Sequence, residues 1–345
     1  ANGISVKRII HPVLSVVRDD ALTLTDISRK RVDGQARESF IYLETERVDA
    51  RERRQLEARL AAVLADVRGA VTDWRDMLAA LSADADSLPE SEGAALLRWF
   101  AHNNMTVLAH ERISRDGTRS DRLGLSRVTD APVLAEDSVA LAIKWFEDGG
   151  VAPLVLKSNR VSTVHRNVQL DLIVIPVATG GRITGVAVTA GLWTSAALAT
   201  TPEAIPVLRT HLAALMDRFG FDPSGHAGKA MAHALTALPH DLLVALKLDD
   251  LERVTLTAMS LTDRPRPKLI ALRSPLGRHL YIFVWLPRDD VSTGIRKQIQ
   301  NMLIDATGGG LLGWTIGLED GGVALLRYTL DLPNRDQKVD EAALD

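Results

Sequence analysis

The run over residues 168–194 constrains this chain most. Residues 168–177 (VQLDLIVIPV) and 182–194 (RITGVAVTAGLWT) are rich in β-branched side chains and flank Thr179-Gly180-Gly181. A glycine pair between two such runs signals a tight β-hairpin, because glycine enters the left-handed backbone region without strain. A hairpin commits the chain to antiparallel sheet. Residues 153–158 (PLVLKS) predict a further strand before it. The apolar spacing over 203–219, 228–238 and 241–261 predicts helices after it, the last with Asp249 and Glu252 as a capping pair. Sheet followed by helices is an α+β arrangement.

The flanking segments repeat this logic. Residues 6–17 predict a strand bent at Pro12, residues 18–37 a loop, and residues 38–48 a second strand alternating Phe40 and Tyr42 with Ile41 and Leu43. Asp49 and Glu52 form a capping box. It opens one long helix whose stripe Leu56, Leu60, Val63, Val67, Val71, Trp74, Leu78 and Leu81 is expected to cover a sheet. Residues 82–89 are small, acidic and end in proline, a first boundary. Beyond it a helix over 92–102 capped by Ser87, a strand over 105–113, a turn at Asp116-Gly117 and a helix over 137–147 are expected. A second boundary falls at 263–267. Residues 268–330 then read as ββαββ, with Ile295, Ile299, Met302 and Leu303 inward on the helix and Gly308–Gly310 as its cap and loop. The expected modules are 1–83, 88–200, 201–262 and 263–333, with residues 334–345 a disordered tail.

Charge and composition exclude several classes. The 345 residues carry 41 basic and 44 acidic side chains, a formal net charge of −3, which points to no nucleic-acid or membrane partner. Cysteine is absent, so disulfides and thiolate chemistry are excluded. No apolar run approaches the roughly 20 residues of a membrane helix. Gly225-His226-Ala227-Gly228-Lys229 is not a phosphate loop, since Pro223 and Ala230 stand where glycine and a hydroxyl residue belong. His226, His233 and His240 recur every seven residues, but Pro239 interrupts the helix and no carboxylate set accompanies them. No nucleophile elbow or Ser-x-x-Lys occurs. The polar run 157–166 remains, with Lys157, Arg160, Ser162, His165 and Arg166 as candidate effector-binding residues. Arginines and hydroxyls at this density suit an anion or amino-acid site. The same residues also suit a polar edge strand whose arginines pair with local carboxylates. No catalytic, cofactor-binding or metal-binding residue is assigned.

Four stretches in order, 96–113, 153–171, 191–231 and 274–303, with a weaker one at 9–19, resemble the large bacterial NAD-specific glutamate dehydrogenases. The series spans nearly the whole chain. The resemblance implies the regulatory N-terminal region of such an enzyme, a piece of a longer polypeptide. It implies ACT-like antiparallel sheets with helices on one face at 1–83 and 263–333, a central PAS-like module at 88–200, and a helical segment at 201–262. The enzyme so implied converts L-glutamate, NAD⁺ and water to 2-oxoglutarate, NADH and ammonium. NAD and the catalytic residues are expected in a separate catalytic domain. That domain, further copies of the subunit and an amino-acid effector are the expected partners, in the cytoplasm. A ligand-free assembly scaffold is the alternative.

Overall fold

The computed structural model describes residues 4–262, 264–318 and 322–344. The chain divides into two compact units, Ala1–Ala62 and Val63–Asp345.

The first unit holds β1 (Val6–Ile10), β2 (Val13–Arg18), β3 (Leu24–Ser28), β4 (Ala36–Ser39) and β5 (Tyr42–Thr45). Pro12 breaks the first predicted strand in two, and residues 40–41 break the second; β3 lies where a loop was expected. β1 pairs with β5, and β3, β2 and β4 form a three-stranded sheet, all antiparallel. Such small sheets bury little. Val16 is the one buried apolar side chain among the described residues up to 62, while Ile9, Ile10, Leu22, Ile41 and Tyr42 are all exposed. The capping box forms as expected: Asp49 Oδ1 accepts from the amides of Arg51 and Glu52, and Glu52 Oε2 from that of Asp49.

That box starts α1 (Ala50–Thr72), which is followed by α2 (Trp74–Ser87). The sequence predicted one helix. The break falls at Asp73, whose carboxylate accepts from the Gly124 amide and from Arg127, so the side chain serves a distant loop. The predicted stripe is buried in part only. Leu81 is in the core and Leu78 packs against it, whereas Leu60, Val71 and Trp74 are exposed. α2 also runs through Ser87, so the linker expected at 82–89 is helical over most of its length, and Ser91 rather than Ser87 caps α3 (Glu92–Trp99).

The second unit continues with β6 (Met105–Ser114), β7 (Arg119–Gly124), α4 (Leu125–Val128), α5 (Glu136–Glu147), β8 (Leu154–Val161), β9 (Gln169–Thr179), β10 (Arg182–Trp193) and α6 (Ser195–Leu198). These strands form one antiparallel sheet, order β7-β6-β10-β9-β8. Arg182 pairs with Thr179 across the hairpin, and Gly180 and Gly181 take φ of +60° and +78°, as the glycine pair predicted. Helices α7 (Leu208–Phe219), α8 (His226–Ala237), α9 (His240–Leu243) and α10 (Leu248–Thr262) follow. Residues 244–247 split the last predicted helix, and Asp249 and Glu252 bind Arg218. The second sheet contains β11 (Lys268–Arg273), β12 (His279–Pro287), β13 (Gly310–Leu318) and β14 (Val323–Asp331), order β11-β12-β14-β13, with α11 (Thr293–Thr307) and α12 (Glu341–Leu344). Ser292 caps α11, and Gly308 ends it in the left-handed conformation. Of the four side chains expected inward on α11, Leu303 is buried and Ile299 packs on the core, but Ile295 and Met302 are exposed.

Both sheets are covered on both faces. Val155, Ile173 and Ile175 share one core with Leu208, Leu235, Tyr281, Phe283 and Trp285. On the opposite faces, Leu156, Leu172 and Val174 pack with Ile143 and Phe146 of α5, and Leu280, Ile282 and Val284 with Leu303 of α11. β9 and β12 are therefore largely apolar along their length. Trp193 closes the central core edge-on to Trp99 and Phe100, at centroid distances of 5.3 and 5.2 Å.

The tail expected to be disordered is instead held. Arg335 donates to Leu276 O, Asp137 and Ser138, Gln337 to Thr307 O, and Glu341 accepts from Arg253. The boundary expected at 263–267 is described from residue 264, Asp263 lying outside the described residues.

Gly124 carries the tightest constraint near α2. Its φ is +60°, and a Cβ there would lie 2.2 Å from Leu108 O and 2.6 Å from Met77 Sδ. Gly124→Ala should lower stability by about 2–3 kcal/mol, against about 1 kcal/mol for Gly117→Ala, where φ is also positive but the surroundings are open. Urea denaturation midpoints of the two variants test this ranking.

Candidate functional site

β8 is the edge strand of the five-stranded sheet, and its alternation decides where each polar side chain goes. Val155, Lys157 and Asn159 share the face of the central core, and Leu156, Ser158 and Arg160 the other. Lys157 thus continues an apolar row into the interior. It lies 2.5 Å from Asp171 Oδ1 on β9 and 2.5 Å from Asp241 Oδ2 on α9. Asp241 Oδ1 in turn accepts from Arg327 on β14 at 3.1 Å. Lys157 and Asp171 keep 7% and 5% of their side-chain exposure, Asp241 and Arg327 13% and 17%. Two cations and two carboxylates are thus buried as one neutral cluster.

Burial works against each charge, and the neighbours decide which survives. For Lys157, burial is outweighed by Asp171 and Asp241, which hold the ammonium above its usual range. For Asp241, burial is outweighed by Lys157 and Arg327, which hold the carboxyl well below the usual carboxylate range. Asp171 has Lys157 but also faces Asp241, and burial pushes it up. Tyr281 is buried against the cluster, its phenol raised by burial and by Asp171 and Asp241.

A second polar group continues the seam. Asn159 Nδ2 donates to Asp331 Oδ2 at 2.6 Å, and its Oδ1 faces His279 Nε2 at 2.7 Å. Arg278 donates to both oxygens of Asp331. Burial, helped by the positive charges of Arg278, Arg335 and Lys157 against the pull of Asp331, pushes His279 down to about 4.

Lys157 also borders two voids. On one side is a groove of about 650 Å³, walled by Arg166, Trp193, His240, Asp241 and the Gly313–Gly317 stretch of β13. Three polar atoms of its lining residues, Arg166 Nε, Trp193 Nε1 and His240 Nδ1, are buried without a hydrogen-bond partner. His240 Nε2 faces Leu235 O, which leaves Nδ1 as an acceptor. On the other side is a cavity of about 180 Å³ reached by Arg160.

The five candidates from the sequence separate. Lys157 is in the buried cluster. Arg160 points the other way and donates to Ala131 O at 3.0 Å. Ser162 is buried and donates to Val164 O within its own loop. His165 is exposed, at the positive φ of 68°. Arg166 turns back to the carbonyl of Trp193 and shares the groove with Lys157. Asp171, Asp241 and Arg327 were not picked out from the sequence. Asp171 within the apolar run QLDLIVI was the available signal, since a carboxylate inside a buried strand needs a cation. Asp241 and Arg327 carry no local signal. Among the described residues no group of three or more His, Asp or Glu side chains is placed to hold a metal ion, and no helix is long and apolar enough to cross a membrane.

Comparison with known proteins supplies the family. Residues 1–60 match the ACT1 domain of glutamate dehydrogenase, residues 205–264 its helical motif 1, and residues 268–345 its ACT2 domain. The chain is 32% identical over 335 residues to the NAD-specific glutamate dehydrogenase of Pseudomonas aeruginosa, covering 88% of this chain and 20% of that protein. The chain belongs to the NAD-specific glutamate dehydrogenase family. The protein of the same description from Halomonas elongata is 29% identical over 336 residues, with 89% and 21% covered. That from Mycobacterium tuberculosis is 24% identical over 355 residues, with 96% and 21% covered. The chain spans about a fifth of the length of these curated relatives. A likeness to the blue-light activated histidine kinase of Erythrobacter litoralis, TM-score 0.19 at 11% identity over 67% of this chain and 97% of that one, carries no argument.

In this glutamate dehydrogenase region the cluster has one member in helical motif 1 (Asp241), one in ACT2 (Arg327) and two in the sheet between the ACT segments (Lys157 and Asp171). Removing one partner strands the others in the interior. Asp241→Asn should cost about 3–5 kcal/mol, and Lys157→Met with Asp171→Leu together should cost clearly less than the two singles summed; guanidinium denaturation of these four variants and the parent measures both. His279 titrates lower in the folded chain than its ordinary 6.5, so its contribution is complete above that pH and is lost as pH falls towards 4. His110, also pushed down to about 4 by burial, adds to this loss, and Asp84, raised to about 6 by burial, opposes it. Stability of the His279→Gln variant should therefore fall less than that of the parent between pH 6.5 and 4.5, by on the order of 2 kcal/mol, read from urea midpoints across that range.

Proposed function

We propose that this chain is the regulatory, non-catalytic region of a cytoplasmic NAD-dependent glutamate dehydrogenase, and that it senses an amino-acid effector. The parent enzyme converts L-glutamate, NAD⁺ and water to 2-oxoglutarate, NADH and ammonium, with NAD held by its separate catalytic domain. The supporting observation is the groove beside Lys157. Its walls come from ACT2, from helical motif 1 and from the central sheet, read here as the PAS-like module. Its lining residues Arg166, Trp193 and His240 each carry a buried polar atom without a hydrogen-bond partner, and the carboxylate of Asp241 lies beside them. A carboxylate and an ammonium two bonds apart match that arrangement. An occupant would touch all three segments, so its binding energy would depend on their mutual arrangement, as coupling requires.

Exposed apolar side chains in the first unit, Ile9, Ile10, Leu22 and Ile41 among them, favour a second role in assembly, against further copies of the subunit or the enzyme's own catalytic domain.

Thermal unfolding of the chain with each of the twenty amino acids and 2-oxoglutarate at 10 mM tests the effector. At least one amino acid should raise Tm, and Arg166→Gln should abolish that rise. A flat panel contradicts effector sensing here and leaves assembly.

A further inference from the structure

The cavity on the far side of Lys157 has a different character from the groove. Its lining includes Lys157, Arg160, Arg278 and Arg335, together with Ser138 and Ser274, and contains no carboxylate. Its floor is apolar, formed by Leu134, Leu156, Leu172 and Leu276. Its volume of about 180 Å³ is close to that of an engineered cavity of about 150 Å³ that holds benzene.

Three of the four cations that line it are paired with carboxylates and one is not. Lys157 and Arg327 take Asp171 and Asp241, and Arg278 and Arg335 take Asp331 and Asp137. Arg160 forms no salt bridge among the described residues; its guanidinium donates to the carbonyl of Ala131 at the edge of the apolar pocket. The N-terminus of the 12-residue α5 borders the same space; Ala135 at its N-cap has no side-chain oxygen, and Glu136 and Asp137 stand in its first turn.

We infer that this cavity binds a short-chain aliphatic carboxylate lacking an ammonium group, its carboxylate on Arg160 near the start of α5 and its chain against Leu156, Leu172 and Leu276. The size admits about four to six heavy atoms besides the carboxylate, by comparison with benzene. Apolar burial holds the chain. The guanidinium of Arg160 has donors to spare for two parallel bonds to a carboxylate. An α-amino acid fits poorly, because the lining holds four cations and no carboxylate, so an ammonium there would meet like charge. This separates the cavity from the groove, which has Asp241 and His240 to offer.

Isovalerate is the probe, added to the 345-residue chain at constant ionic strength. It should raise Tm in a saturable way, while isoamyl alcohol, sodium chloride and inorganic phosphate at the same concentration should not. L-leucine, the same chain with an ammonium, should bind at least tenfold more weakly at this site, and Arg160→Gln should raise the isovalerate Kd at least tenfold while leaving unliganded Tm within a degree or two. Arg166→Gln, in the groove, should leave isovalerate binding unchanged. No rise in Tm with isovalerate, an equal rise with the alcohol or phosphate, or a Kd unmoved by Arg160→Gln overturns the inference. Neither result depends on the amino-acid panel, so the two sites fail or stand separately.

Discussion

A lysine buried between two aspartates holds the second unit together. Taking Lys157, Asp171, Asp241 and Arg327 out of water costs several kcal/mol for each ion, and mutual attraction offsets that only in good geometry. Each of the four comes from a different element: β8, β9, α9 and β14. The cluster is neutral only when the central sheet, the helical motif and the ACT2 sheet are all in place. Apolar burial supplies more energy over the shared core, but it tolerates sliding; four charges with fixed partners do not. The Asn159–His279–Asp331 bonds extend the same register along the strand.

Much of the architecture could be read from the chain. Gly180-Gly181 specified its hairpin because two left-handed residues in succession leave few alternatives. The ββαββ order of the ACT2 segment followed from strand-like runs around the α11 helix and its glycine cap. Local signals also misled. The apolar stripe from Leu56 to Leu81 looks continuous, yet Asp73 ends the helix because its carboxylate is claimed by Gly124 and Arg127, some 50 residues ahead. Residues 334–344 have the composition of a loose tail, but Arg335 and Glu341 find partners on α5 and α10. Those are long-range pairings, which no periodicity encodes.

The candidate site was legible to the same degree. The run from Lys157 to Arg166 was marked by its polarity, and strand alternation then divides it: Lys157 to the interior, Arg160 to the opposite face, Arg166 back to the groove. Neither arginine of the run pairs with a carboxylate, as an edge strand of the expected kind would have them do: Arg160 and Arg166 donate to backbone carbonyls, and Lys157 is the residue held by two aspartates. The charges in their linings distinguish the two voids that Lys157 borders, one with carboxylates beside its cations and one with cations alone.

Native-state hydrogen exchange tests the role of the buried lysine most directly. In the parent chain the amides of β8, α9 and β14 should open together, near the free energy of global unfolding. In Lys157→Met all three should lose protection by a similar amount. Loss confined to β8, with α9 and β14 unchanged, would contradict the account.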